Sequence, residues 1–559
     1  MTVRILFPAL VLSLALVKAQ TPPEPELQAD AKAYREASRI TDADKKLAAL
    51  DKLKSDFPNS SYVQIADEAI LAALLKSKPD EQARIRKTAD AIYKAATVKD
   101  KEASRGATIV STRNRESAAA QIAEQFLTAD RFPKEADAWV RRSVDPMRQA
   151  IWISEQREAF AKRKQPIPSQ EELVKRFNEV RATRLGTLGR AERKLGHDAT
   201  AKKLLEESYA INKSNIAVAG ALGEMARTAG DDAKALDYLI PVRLSGRASN
   251  PSNAALEDLY RKSHGGSLDG IDAMLDTEYR KRFPNPVHVQ PYQPAEKRSD
   301  RVVLGEVFTG SGCPPCAAAD LAFDAVMERF AHKDVAVVMY HQHIPRPDPM
   351  TTLETTARAK FYAVRGVPTF AVDGKDTIGG GSRDMAGGVY DKLVKDVEKE
   401  LETPAEAHLK VDAALDGNTV RAGASVEPVK GQDLRVQILL VEKELRFNGE
   451  NGIRFHPMVV RAFGGEKGDG FPLEPAGGTF AATFDLDAVS KAIKDHLDDY
   501  EAKGHRGETF RFAEKKYQID RGNLAVVVFV QDGKTKHVLQ AAWVDLGTAG
   551  AHSATDPVQ

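Results

Sequence analysis

Only two cysteines occur in 559 residues, and they stand together as Cys313-Pro314-Pro315-Cys316. Two intervening residues bring one sulfur within disulfide reach of the other. The apolar run Val302-Val303-Leu304 precedes them and an Ala-rich segment with helical spacing follows. Strand, Cys-x-x-Cys and helix in that order is the arrangement dithiol redox chemistry requires. A first helical turn has N–H groups without intrahelical partners, and their partial positive charge favours a thiolate. A free cysteine titrates near ~8.5, and such a position lowers that by about a unit or more. Cys313 is expected to be the attacking thiolate, facing solvent, and Cys316 the resolving thiol. No further cysteine offers a competing disulfide framework or completes a four-ligand structural zinc site. The blander alternative is a pair that only stabilises its scaffold.

The elements that must hold this pair can be read on both sides of it. After Cys316, the residues Leu321, Phe323, Val326, Met327 and Phe330 fall on overlapping i, i+3, i+4 rows, a core-facing helix. Val335 to Tyr340 reads as a buried strand, and Thr351 with Glu354 has the spacing of a capping box for a second helix. Then come Val367-Pro368-Thr369, a strand, the turn Asp373-Gly374, another strand and a closing helix from about Arg383 to Leu401.

The order β, α, β, α, β, β, α, with Cys-x-x-Cys at the first helix and Val-Pro-Thr before the last hairpin, resembles the thioredoxin superfamily over about residues 300–402. Within it, Glu306-x-Phe308-Thr309-x-x-Gly312-Cys313-x-x-Cys316 is similar to a branch of secreted bacterial thioredoxin-like proteins. The resemblance implies an α/β thioredoxin-like domain in which Pro368 is cis and packs against the sulfurs. It also implies that the Val367 backbone, next to Pro368 and Thr369, pairs with the substrate chain. Two positions depart from the pattern. Gly312 stands where thioredoxin has Trp, which is expected to open access to Cys313, and Val307 stands where thioredoxin has a buried acid. Glu306 is one step away, and strand alternation points it to the opposite face, so it serves as a proton relay only if the strand is irregular. His341 and His343, in the loop after the second predicted strand, are candidates to hydrogen-bond a sulfur, or to hold a soft metal with the dithiol. No cofactor and no resident metal are assigned.

The chain around this unit divides by composition. Arg4, the apolar run Ile5 to Val17 and Val17-Lys18-Ala19 read as a signal peptide over residues 1–19. Its apolar run is too short for a span, which needs about 20 apolar residues, and no later stretch approaches that length. Residues 27–283 are helical almost throughout. Leu188-Gly189, Gly196, Ala201 and Leu205 recur 34 positions later as Leu222-Gly223, Gly230, Ala235 and Leu239. That is the period of a tetratricopeptide hairpin, and the resemblance is clearest over residues 182–249. Small residues at those positions let paired helices approach closely. The family's aromatic is replaced by Glu192 and Ala226, which bears on the usual peptide groove. A partner-binding surface and a plain helical spacer are both consistent with this arm. Four prolines in residues 284–299 mark a linker. Residues 405–546 turn β-rich, with strands at 407–411, 436–441, 458–463, 524–530 and 537–543 and one helix inserted at 486–500, a β-sandwich-like domain. His456 is expected to be structural, and residues 547–559 are expected to form a flexible tail.

Lys and Arg number 81 against 80 Asp and Glu, a net charge of +1, with no basic cluster, so nucleic acid is not a favoured partner. The expectation is an exported, periplasmic or secreted multidomain protein with no membrane span. Its expected function is thiol–disulfide exchange with protein disulfides or dithiols and a redox partner. Pro315 lacks an N–H beside the second sulfur, which favours the reductase direction. The alternatives are a non-enzymatic envelope scaffold with a silent dithiol, and a metal-handling protein.

Overall fold

The computed structural model describes residues 28–96, 115–465, 470–505 and 509–546. The expected signal peptide and C-terminal tail lie outside the described residues. The chain divides into two compact units, Met1–Thr112 and Arg113–Gln559. The first holds helices α1–α4, Ala29–Ser38, Ala43–Asp56, Tyr62–Ser77 and Gln82–Ala95. Leu50, Leu53, Ile70 and Leu74 are buried between them.

The second unit opens with α5–α7, Arg115–Thr128, Pro133–Val144 and Gln149–Lys162. Next come α8 (Gln170–Lys194), α9 (Asp198–Ile211), α10 (Ile216–Thr228), α11 (Asp232–Leu244), α12 (Asn250–Ser263) and α13 (Ile271–Arg282). The 34-residue period maps onto the hairpins α8–α9 and α10–α11. Gly196 and Gly230 take φ +82° and +79° where α8 and α10 stop, a conformation that favours glycine. Asn215 and Asp231 cap α10 and α11, their side chains accepting from the Val218 and Lys234 amides. Close approach is the reason for the other pair of glycines. A Cβ at Gly189 would come within 2.8 Å of Leu205 Cγ, and one at Gly223 within 2.7 Å of Leu239 Cγ. No helix among the described residues is long and apolar enough to cross a membrane.

Residues 284–299 carry no helix or strand, yet Val287, Val289 and Tyr292 pack into the core that follows. That core is built on β1 (Val303–Thr309), α14 (Cys316–Arg329), β2 (Val335–His341), α15 (Leu353–Phe361), β3 (Thr369–Val372), β4 (Lys375–Ile378) and α16 (Ala386–Leu401). β1 pairs parallel with β2 and antiparallel with β3, and β3 pairs antiparallel with β4. Period-2 alternation assigns the faces. Val303 and Val307 join the core under α14 and α16, while Leu304 and Phe308 join a second cluster that includes Ala359 and Tyr362 near the end of α15. The cap of α15 lies one residue beyond the expected pair: Thr352 and Thr355 form the capping box.

The remaining strands are β5 (Leu409–Asp416), β6 (Thr419–Val426), β7 (Leu434–Arg446), β8 (Phe455–Phe463), β9 (Phe471–Leu473), β10 (Gly478–Asp485), β11 (Leu524–Asp532) and β12 (Val538–Asp545), with α17 at Leu486–Lys503. Five of them do not form a sheet apart. β8 joins β2 at the pair Met339 and Val459, so β7, β8, β9, β11 and β12 run on from β1–β4 as one mixed sheet, β12-β11-β7-β8-β2-β1-β3-β4, with β9 beside β7. A three-stranded sheet, β10-β6-β5, packs over one face of β7 and β11, burying Val436, Ile438, Val526 and Val528. The other face of β7 and β11 contributes Leu439, Val441, Val527 and Phe529 to the cluster shared with α15.

Candidate active site

Cys313 and Cys316 are joined as a disulfide at the start of α14, where β1 ends. The turn is closed by the Cys313 amide donating to the Gly310 carbonyl and the Cys316 amide donating to the Cys313 carbonyl, both at 3.0 Å. Cys313 Sγ lies 3.5 Å from the Val367 carbonyl oxygen. Val367–Pro368 is a cis peptide, and Pro368 is buried. Thr369 turns its hydroxyl back to donate to the Gly366 carbonyl at 2.8 Å. Cys313, Cys316, Val367 and Pro368 are therefore brought together, with Thr369 holding the bend beside them.

Glu306 is not among them. β1 is regular, so Glu306 points to the face opposite α14 and is fully buried there. Its Oε1 accepts from Tyr340 Oη at 2.8 Å and from Arg358 Nε and Nη2 at 2.8 and 2.6 Å, and its Oε2 accepts from Tyr362 Oη. Burial works against the charge on Arg358, and the Glu306 carboxylate outweighs it, so the guanidinium stays charged.

Access to the sulfur also differs from the expectation. Cys313 is only 1% exposed. The space left by Gly312 is taken by Arg346: a Cβ at Gly312 would stand 2.9 Å from Arg346 Cβ. On the other side of the turn, the Ile344 carbonyl closes on Gly310.

A polar network missed by sequence reasoning lies behind the disulfide. Asp320, on α14 one turn after Cys316, is buried. It accepts from Thr309 Oγ1 at 2.6 Å and from Asn451 Nδ2 at 3.3 Å. Burial pushes its carboxyl up to about 6, against the pull of those bonds. Of the two carboxylates within Ala317 to Ala325, Asp320 and Asp324, the first is four residues from Cys316 and so on its face of the helix, which was the available signal. Asn451, from the β7–β8 connection, also donates its amide to the Ser311 carbonyl at 2.9 Å; nothing local in the sequence announced it.

His341, at the end of β2, sits with Nδ1 3.0 Å from Asp348 Oδ2. Asp348 also accepts from the Ser311 and Met350 amides. Burial alone would raise the Asp348 carboxyl. His341 and the two amides outweigh it and hold the group well below the usual carboxylate range. An ionised Asp348 only accepts, so Nδ1 of His341 carries a proton, and its buried Nε2 has no hydrogen-bond partner among the described residues. The rings of His341 and His456 lie 5.2 Å apart. Burial first, then His341, lower His456 to about 3, keeping it neutral. His343 turns away to stack on Tyr500, and burial lowers it to about 4. Among the described residues no group of three or more His, Cys, Asp or Glu side chains is placed to hold a metal ion.

The arrangement is compatible with a redox-type dithiol beside a carboxyl that burial pushes up to about 6. No family model matches the chain, and no curated protein matches it as a relative.

Proposed function

We propose that the chain is an exported thiol–disulfide oxidoreductase, periplasmic or secreted, whose residues 300–402 form a thioredoxin-like domain working in the reductase direction. The observation that carries the reading is the placement of the Cys313–Cys316 pair at the head of α14 with the Val367 carbonyl 3.5 Å from Cys313 Sγ. The order of β1 to β4 and the buried Pro368 next to that carbonyl support it. The paired hairpins over residues 182–249 support a tetratricopeptide-like arm that holds a protein partner, and the facing sheets of residues 405–546 support a β-sandwich-like domain.

In the reduced protein the Cys313 thiolate attacks one sulfur of a substrate disulfide. That S–S bond breaks, the departing substrate thiolate takes up a proton, and a mixed disulfide forms. Cys316 gives up its proton, attacks Cys313 Sγ, and releases the second substrate thiol after protonation. Two electrons pass from protein to substrate, with one proton from Cys316 and one from solvent, and the protein disulfide remains. Asp320, buried one turn beyond Cys316, is the group suited to hold or pass the proton of that second step.

The test is equilibration of the purified protein with glutathione buffers. The expected potential lies nearer that of thioredoxin, about −270 mV, than of a strong oxidant such as DsbA, about −120 mV. A pair that remains a dithiol in buffers as oxidising as about −150 mV would overturn the reductase direction. A pair that never exchanges would leave the scaffold reading. Cys316→Ser should accumulate mixed disulfides and Cys313→Ser none.

A further inference from the structure

Cys313 and Cys316 are buried, while Pro314 and Pro315 between them are exposed and a charged side chain, Arg346, lies beside Gly312. Arg346 lays its aliphatic stem on Gly312, and its side chain is 60% exposed. The guanidinium is held by a single carboxylate, with Nη1 2.8 Å from Glu450 Oε2. Glu450 is shared with Arg247 of the helical arm, at 3.7 Å. The pair is exposed on the Arg346 side and partly buried on the Glu450 side, at 60% and 30%, and a pair open to solvent on one side is weak enough to exchange for another carboxylate. A second cation, Arg365, stands two residues before Val367; it is exposed and has no ion-pair partner among the described residues. Asp384 is the opposing charge on this rim, and its carboxylate is taken by Ser382 Oγ. Between these charges the rim is apolar, with Ile344 38% and Met385 54% exposed on either side of the turn.

Resting on the redox reading above, we propose that the physiological substrate is an acidic polypeptide disulfide, admitted when its carboxylate draws Arg346 away from Glu450. Cys313 is 1% exposed, with the Arg346 stem filling the space beside Gly312 and the Ile344 carbonyl the space beside Gly310. The Ile344 side is backbone packed on backbone, so the Arg346 side is the one that moves. A substrate carboxylate next to its cysteine opens the turn and is held by the cation it displaces, while Arg365 takes a second acidic residue along the extended chain. The apolar rim accepts the side chains between them. Glu450 sets the threshold: it keeps small thiols out and yields to a competing anion.

The experiment measures the second-order rate at which the reduced full-length chain is oxidised by three probes. They are a peptide disulfide with acidic flanks, the same peptide with basic flanks, and the neutral bis(2-hydroxyethyl) disulfide. The acidic peptide should react about tenfold faster than the basic one at low salt, with the gap closing as salt is raised. Arg346→Glu with Arg365→Glu should invert that preference. Glu450→Gln should speed the neutral probe by roughly two- to fivefold while leaving the acidic preference in place. A wild-type protein that reacts equally with both peptides, or an inversion variant that keeps the acidic preference, overturns the proposal. An unchanged neutral-probe rate in Glu450→Gln overturns the role of Glu450 as the tether. No exchange with any probe overturns the redox reading itself, a distinct outcome.

Discussion

Glu306→Gln separates a structural carboxylate from a proton relay. Three donors converge on its Oε1, from Tyr340 and Arg358, and a fourth, from Tyr362, on Oε2. The amide introduced by that substitution keeps one carbonyl oxygen and sets an NH2 group against the other donors. It also leaves the Arg358 guanidinium, 5% exposed, without a counter-charge. Removing one partner of a buried pair costs about 3–5 kcal/mol, far more than a surface pair contributes. The loss should fall on the face shared by β1, β2 and α15, so hydrogen exchange of peptides covering β1 and β2 is the assay, which does not require the long chain to unfold as one unit. The double variant Glu306→Leu/Arg358→Met should lose less than the sum of its single changes, because no charge is left buried alone. The dithiol, on the other side of β1, should keep its potential within about 30 mV, equivalent to about 1.4 kcal/mol. A loss below about 1 kcal/mol, or a larger shift in potential with exchange unchanged, would refute the structural assignment and restore Glu306 as a relay.

Acid should open the site. His343 and His456 are held neutral at about 4 and about 3, so their stability is full above the unfolded value near 6.5 and falls as pH drops below it. By pH 4.5 they cost together about 5 kcal/mol, while Asp320, raised to about 6, regains about 2 kcal/mol on protonation, so net opening is expected. Proteolysis of the β7–β8 connection at pH 4.5 against pH 7.5 checks this, and His456→Gln should reduce the contrast. At the boundary of the arm, a chain starting at Asn285 should fold more stably than one starting at Arg298. The shorter chain loses Val287, Val289 and Tyr292 from the core, about 3 kcal/mol, seen as a lower urea midpoint. Gly223→Val should destabilise the α10–α11 hairpin by about 1–3 kcal/mol through its clash with Leu239, read by exchange in that hairpin, with the wild-type rate of disulfide exchange retained.

What was legible in the sequence was local. The 34-residue period, the Pro and Gly punctuation and the strand alternation gave α8–α11, β1–β4 and α14–α16 within a few residues, because each depends on neighbours close in the chain. The strand test placed Glu306 opposite the sulfurs for the same reason. Linkage between distant segments was not legible. Met339 meets Val459 and Ser311 meets Asn451 across more than a hundred residues, and no periodicity encodes such pairings. Gly312 misled in an instructive way: a missing side chain reads as open space, and whether it stays open depends on Arg346, 34 positions away.

Those distant pairings bear on how the dithiol is controlled. A buried carboxyl such as Asp320 needs donors, and the segment around the cysteines supplies only Thr309. The second donor is Asn451, and its bond opposes the burial that raises Asp320. The same connection is fastened to the helical arm: Tyr279 Oη donates to the Gly452 carbonyl at 3.1 Å, and Arg454, nearly fully buried, reaches Asp276 at 2.7 Å and Asp272 at 3.1 Å. Asn451 is thus held between α13 and the Cys313 turn. If the connection lifts, Asp320 loses a donor, Ser311 loses a partner, and Glu450 lets go of Arg346. The contacts behind the sulfurs and those beside Gly312 therefore meet in residues 447–454 and not in the segment that carries the cysteines alone. A partner that pulls on α13 would act on both at once.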